Sequence, residues 1–175
     1  MNKFERRAKL KREDLEGTPL KESDFEKGKV LFYDDRLRTA YNWDAGVAMG
    51  RFLAGLKEGK ILGVRCNKCQ RVVTPPRVFC EECYSPIEEW LELKDSGVVD
   101  SFSICYVRWD ASRIKEPEIP AIILFDGADR AGIMHKLGEV DPKDVKIGMR
   151  VQAVWKPAKE RTGSILDIKY FKPVK

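Results

Sequence analysis

The spacing of hydrophobic positions changes several times along the 175-residue chain, and each change marks a segment. In residues 1–43 apolar side chains are scattered among charges of both signs. Phe4, Ala8 and Leu15 make a ragged helical stripe, which predicts one short exposed helix followed by an extended arm. Phe25, Val30, Leu31, Phe32, Tyr33, Tyr41 and Trp43 lie in that arm with neither a helical nor a strand period. The arm reads either as a loosely ordered tail or as a strap whose aromatics are buried against another chain. Residues 44–60 are far more regular. A helix is predicted from Asp44 to Glu58, with Asp44 as its cap, Ala45, Met49, Phe52 and Leu56 on one face, and Gly59 as a left-handed terminator. Gly46 and Gly50 share a helical face, on which a neighbouring backbone could come close.

Residues 61–92 hold four of the five cysteines, and from residue 93 the period becomes two. Strands are predicted at Val98–Val107, Pro120–Asp126, Arg130–Leu137, Met149–Trp155 and Ser164–Phe171, with a hairpin turn at Asp126-Gly127. Asp141 followed by Pro142, with Gly148 closing the segment, predicts a short helix between the third and fourth strands. Three strands, a helix and two strands is the element order of the OB-fold, a five-stranded Greek-key barrel. The predicted class is mainly β with N-terminal helices: a small four-cysteine zinc ribbon followed by a five-stranded OB-fold barrel over residues 93–175.

Cys66, Cys69, Cys80 and Cys83 form two C-x-x-C knuckles separated by ten residues. Each knuckle can present two thiolates to one ion, and Zn²⁺ takes four such sulfurs at about 2.3 Å in a tetrahedron. Iron fits the same four sulfurs. A site closed by four protein ligands has no open position for a substrate, so it reads as a structural staple. A segment of this size buries too little apolar surface to fold without one. Four thiolates around one divalent ion carry about two negative charges, and Arg65, Lys68, Arg71 and Arg77 lie near enough in sequence to offset them.

Composition narrows the function. A net charge of +5 arises from 33 basic and 28 acidic residues that are interspersed, unlike the concentrated basic stripe of a chain that coats nucleic acid. No apolar run reaches membrane-spanning length, the basic N-terminus has no apolar stretch behind it, and the odd cysteine count argues against a disulfide framework. The expectation is a cytoplasmic protein with reduced thiols. Cys105 reads as an inert strand thiol, and His135, the single histidine, as a packing or hydrogen-bonding residue. No Gly-rich phosphate loop, Ser-His-Asp set or carboxylate cluster stands out, so no catalytic residue is assigned. A free-standing hydrolase or redox protein lacks a nucleophile–base pair. The alternative of a single-stranded nucleic-acid-binding ribbon and barrel rests on Phe125 as the lone aromatic of the second and third barrel strands.

A helix ending in FLAGLKEGKILGVRC, then CNKCQRVVTPPRVFCEEC, then a barrel carrying VDPKDVKIGMRVQAVW together resemble the DUF35 family of zinc-ribbon and OB-fold proteins, over roughly residues 44 to 175. The resemblance implies a non-catalytic auxiliary subunit. Family members form complexes with thiolase-fold enzymes that act on CoA thioesters; the ribbon and helices dock on the enzyme, and the barrel lies near the CoA entrance. On this view residues 44–60 are a docking helix, and coenzyme A or an acyl-CoA sits at the interface with the partner. Lys156, Lys159 and Arg161, between the last two strands, are the candidate contacts to CoA phosphates. Arg108, Arg113 and Lys115 decorate the first inter-strand loop.

Overall fold

The computed structural model describes residues 21–30, 39–108 and 110–174. The chain divides into two units, 1–42 and 43–175. In the first, the described helix is α1 (Glu22–Glu26), one turn of chain that takes in Phe25 where an extended arm was expected. The stripe of Phe4, Ala8 and Leu15, and Leu31 to Tyr33 of the arm, lie outside the described residues.

The second unit opens with α2 (Gly46–Glu58), which ends on Gly59 in the left-handed conformation at φ 82°, as the sequence predicts. Asp44 acts one position earlier than expected: its Oδ1 accepts the Gly46 N–H at 3.1 Å, and Ala45 occupies the cap position. The buried stripe is Ala48, Phe52, Gly55 and Leu56; Ala45 and Met49 face solvent. The close approach falls at Gly55 and not at Gly46 or Gly50. A Cβ on Gly55 would meet the Leu62 side chain at 2.8 Å, whereas nothing lies within 4 Å of the other two.

A three-stranded antiparallel ribbon follows, built from β1 (Ile61–Arg65), β2 (Val72–Val73) and β3 (Glu89–Leu93) in the order β2-β1-β3. The barrel strands are β4 (Ser96–Phe102), β7 (Pro120–Phe125), β8 (Gly132–Lys136), β9 (Arg150–Trp155) and β10 (Ile168–Pro173), in the order β10-β9-β4-β7-β8. A parallel bridge between Leu137 and Phe171 joins the two ends and closes the barrel. The expected OB-fold is therefore present, with its hairpin between β7 and β8 at Asp126-Gly127.

Three predicted elements differ. The long strand at Val98–Val107 is two strands, because β4 carries a bulge between Val99 and Ser101 and the chain then leaves the barrel at Ser103. It continues as β5 (Cys105–Val107), paired with β6 (Arg113–Glu118) in a separate ribbon. No helix forms over 141–148. The Asp141 side chain accepts the Lys143 N–H at 2.9 Å, Val145 enters the core, and the Gly148 N–H donates to Val99 O at 2.7 Å, so backbone bonding turns to β4 after one turn. The segment at 164–171 begins as a 3-10 turn, Ile165–Asp167, before β10, and the core receives Ile168 and Phe171 across a bulge.

One apolar core serves helix and barrel. Phe52 and Leu56 of α2 pack with Ile61, Val72 and Leu93 of the ribbon and with Val99, Ile123, Phe125, Val151, Ile168 and Phe171 of the barrel. A second, smaller cluster (Val64, Cys66, Val73, Cys80, Ile87) lies in the ribbon alone. Asp129 links the ribbon and the β7–β8 hairpin: its carboxylate accepts the Val72 N–H at 2.7 Å and its own N–H donates to Val72 O at 2.9 Å.

Candidate metal centre

The two cysteine knuckles share one local design. In the first, the Gln70 N–H donates to Cys66 O at 2.8 Å and the Cys66 N–H donates to Arg71 O at 2.9 Å. In the second, the Tyr84 N–H donates to Cys80 O at 2.9 Å and the Cys80 N–H donates to Ser85 O at 2.8 Å. Each knuckle turns through a left-handed residue just after its second cysteine, Gln70 at φ 64° and Tyr84 at φ 54°. β1 and β2 carry the first knuckle, and the Phe79–Pro86 bridge frames the second.

Folding brings the sulfurs of Cys66, Cys69, Cys80 and Cys83 within 4.8 Å of one another. The Cys69 and Cys80 sulfurs lie 3.7 Å apart. A tetrahedron with metal–sulfur bonds of about 2.3 Å has edges of about 3.8 Å, so this spacing fits a single four-coordinate ion. Cys66 and Cys80 are buried, and Cys69 meets solvent. The protonation chemistry agrees. The backbone N–H of Cys69, the Ser85 hydroxyl and the Lys68 N–H draw the Cys66 thiol down to about 6 against the effect of burial. Cys83 is pushed up to about 12 by its hydrogen bond to Cys69, by burial and by the other sulfurs. Thiols this close resist joint ionisation unless a cation balances them. The four cysteines are thus set as a metal-binding tetrad.

The basic residues around the tetrad are committed differently from the sequence expectation. Arg65 pairs with Glu89, Arg71 with Glu81 at 2.6 Å and with Glu82, and Arg77 with Glu81. Their charge is spent first on carboxylates: burial works to lower the Arg71 pKa, but Glu81 and Glu82 outweigh it and hold the guanidinium above its usual range, with the Cys80 sulfur adding the smallest share.

The other sequence candidates occupy distinct surroundings. Lys156 lines an open groove on the outside of the barrel, and Lys159 stands exposed in the 3-10 turn Ala158–Glu160. Arg161 faces inward: its Nε donates to Lys156 O at 2.8 Å, its guanidinium lies 5.4 Å from the centre of the Trp155 ring, and it covers Gly59 at the end of α2. Phe125 is 2% exposed, so it offers no stacking surface for a base. His135 is the packing residue the sequence suggests. Its Nδ1 accepts the Lys136 N–H at 2.9 Å, its Nε2 lies 3.3 Å from Ile165 O, and its ring meets Phe171 edge-on.

Sequence reasoning missed Asp167. It is fully buried, and its carboxylate accepts the N–H groups of Thr162, Gly163 and Ser164 at 2.7–3.1 Å. Burial pushes its pKa up, but these bonds outweigh it and hold the group below the usual carboxylate range. The signal was present: Ser164 and Asp167 stand at capping-box spacing.

A four-cysteine ribbon joined to an OB barrel defines a zinc-ribbon and OB-fold protein. Two family profiles agree with that class: the rubredoxin-like zinc ribbon domain of ChsH2 matches residues 53–89, and the C-terminal OB-fold domain of ChsH2 matches residues 90–156. A DUF35 domain-containing scaffold protein of Methanocaldococcus jannaschii is 34% identical over 101 residues, which are 57% of this chain and 70% of that protein. A second, from Methanothermobacter thermautotrophicus, is 26% identical over 102 residues, 57% of this chain and 74% of its own length. This chain belongs to the DUF35 family. Among solved structures, a DUF35 protein of unknown function from Sulfolobus solfataricus superposes with a TM-score of 0.59 at 28% identity, over 74% of this chain and 87% of that one. The Ltp2-ChsH2(DUF35) aldolase shares the fold, with a TM-score of 0.54 at 21% identity over 78% of this chain and 98% of the matched chain. Among the described residues, no helix is long and apolar enough to cross a membrane.

Proposed function

We propose that this chain is a non-catalytic auxiliary subunit of a thiolase-fold enzyme acting on CoA thioesters. The observation that carries the reading is its relationship to DUF35 scaffold proteins, 34% identical across 70% of the first of them. The chemistry of the described residues supports it. Both nitrogens of His135 are engaged in structural hydrogen bonds, and the four ribbon thiols converge on one point. In this reading Cys66, Cys69, Cys80 and Cys83 hold one Zn²⁺, which supplies folding free energy to the ribbon and, with four sulfurs around it, leaves no position for a substrate. The ribbon presents Val78, Phe79 and Tyr84 to solvent, and α2 presents Val47. These are the apolar surfaces a partner would cover.

The barrel stands at the CoA entrance of the complex in this proposal, with Lys156 and Lys159 facing the phosphates. Arg161 shapes the same loop from behind through Lys156 O. The narrower reading follows the sequence ending AVWKPAKERTGSILDIKYFKP, which resembles that of the small subunit of benzoylsuccinyl-CoA thiolase from anaerobic toluene degradation. The location proposed is cytoplasmic. Affinity capture of the tagged chain in its native source tests the partner: a thiolase-fold enzyme should be retained in stoichiometric amount, and one zinc per chain should be found by metal analysis. Recovery of the chain alone as a monomer would overturn the reading.

A further inference from the structure

The four tetrad cysteines differ in their access to solvent. Cys69 is exposed and Cys83 half-buried, whereas Cys66 and Cys80 are buried in the ribbon's own apolar cluster. Shielding donors gather on Cys66, whose sulfur meets the Ser85 hydroxyl at 3.4 Å and the N–H groups of Lys68 and Cys69. Arg65, Arg71 and Arg77 are paired with Glu89, Glu81 and Glu82, and the last two carboxylates lie inside the second knuckle, between Cys80 and Cys83. These guanidinium groups therefore bring little net positive charge to the tetrad. Four thiolates around one Zn²⁺ keep about two negative charges. Thiolate sulfur that stays electron-rich and open to solvent is the form that peroxides oxidise. Cys69 is the ligand that meets both conditions.

A resolving thiol is already beside it. The Cys80 sulfur, on the other knuckle, lies 3.7 Å from that of Cys69, and a disulfide brings two sulfurs to about 2.0 Å. Cys80 is itself buried, so an oxidant reaches it through Cys69. We propose that Cys69 is the peroxide-reactive ligand of the tetrad, and that its disulfide with Cys80 is a redox switch that unlocks the ribbon. The Cys69 thiolate attacks one oxygen of hydrogen peroxide: an S–O bond forms, the O–O bond breaks and hydroxide leaves. The Cys80 thiolate then attacks the Cys69 sulfenic acid at sulfur: an S–S bond forms, the S–O bond breaks and a second hydroxide leaves. The two sulfurs have given up two electrons and the peroxide has taken them; a dithiol reductant reverses the exchange. Cys66 and Cys83 alone remain as thiolates, too few to hold a structural zinc. Val78 and Phe79 precede Cys80, and Tyr84 follows Cys83, so this exposed apolar patch loses its frame with the knuckle. Release of a docked enzyme through that patch rests on the auxiliary-subunit reading; the cysteine chemistry does not.

The test treats the zinc-loaded full chain with a small excess of hydrogen peroxide, follows zinc release with a chromophoric chelator and maps disulfides in peptide digests. Zinc should appear as two thiols per chain are lost, and the map should join Cys69 to Cys80. Dithiothreitol with added zinc should restore the native amide spectrum. Cys69→His keeps a fourth ligand and removes the exposed sulfur, and it should slow zinc release more than about tenfold at unchanged zinc content. Cys83→His changes the charge of the tetrad by the same amount and should slow release less than about threefold. Cys105→Ser should leave rate and map unchanged. Equal rates in the two histidine variants, a disulfide that omits Cys69 or joins it elsewhere, or zinc retained by the native chain would overturn the inference. Should either histidine variant lose its zinc, the disulfide map of the native chain decides alone. Peroxide added to the captured complex should also free this chain from its enzyme; zinc loss with the complex intact would contradict docking through the ribbon and leave the switch standing.

Discussion

Asp167 and His135 are two buried polar side chains that the fold satisfies in opposite ways. Asp167 keeps its charge because three backbone N–H groups converge on it, and hydrogen bonds to a charged group are each worth about 1.5–3 kcal/mol. Asp167→Asn, which removes the charge and turns one acceptor into a donor, should lower unfolding free energy by about 2–3 kcal/mol in urea denaturation. His135 stays neutral. Burial lowers its pKa from 6.5, against the hydrogen bonds that raise it. The unfolded chain therefore takes up a proton at a pH where the folded chain does not. Stability from this residue is intact above about 6.5 and falls as pH drops toward the folded pKa. Asp167 acts lower on the scale: its contribution is present above about pH 4 and is lost as pH falls through its depressed folded value. Between pH 7.5 and 5.5 the native chain should lose more stability than His135→Gln does; equal losses would contradict this assignment. The knuckle residues Gln70 and Tyr84 give a simpler forecast. Each holds a non-glycine side chain in the left-handed region, at a cost of about 1 kcal/mol. Tyr84→Gly should therefore raise the free chain's stability by up to about 1 kcal/mol with zinc content unchanged.

At the scale of elements, glycines separate positions set by packing from positions set by turns. Gly97 lies in β4, the central strand, where a Cβ would drive into the Leu124 carbonyl of the neighbouring strand. Gly97→Ala should destabilise by about 2–3 kcal/mol, the usual cost of overpacking a rigid backbone. Gly50 in α2 has nothing within 4 Å, and Gly50→Ala should stabilise the free chain by about 0.5–1 kcal/mol. Thermal unfolding of the two variants reads both signs. The elements most legible in the sequence were those with an unmistakable local signal: the C-terminus of α2 at Gly59, the β7–β8 hairpin at Asp126-Gly127, and the cysteine knuckles. The β6 strand was illegible because RIKEPE is charged on both faces and pairs only with β5 in an exposed ribbon, so no apolar alternation marks it. The helix expected at 141–148 failed for the opposite reason. Its start signal was sound, but Val145 and Gly148 bind to the barrel and stop the turn from propagating. At the tetrad, the four ligand positions were readable from spacing alone, whereas Glu81, Glu82 and Glu89, which claim the nearby arginines, reach them only through the folded register.

The whole second unit rests on two apolar clusters of unequal size, and the smaller one includes two of the cysteines. Disabling the tetrad should therefore act locally. In Cys80→Ser, zinc content should drop and amide exchange protection should vanish across 63–90, while β4, β7, β8, β9 and β10 keep theirs. Loss of protection throughout the barrel would show that the ribbon is part of one cooperative core. On the proposed function, the same unit contributes shape and a docking surface while the partner carries the reacting groups. The direct measurement is CoA-thioester turnover by the captured complex, by its large subunit alone and by this chain alone. The account predicts activity in the complex, diminished activity or poor solubility in the large subunit by itself, and none with this chain alone. Turnover by the isolated chain would contradict it.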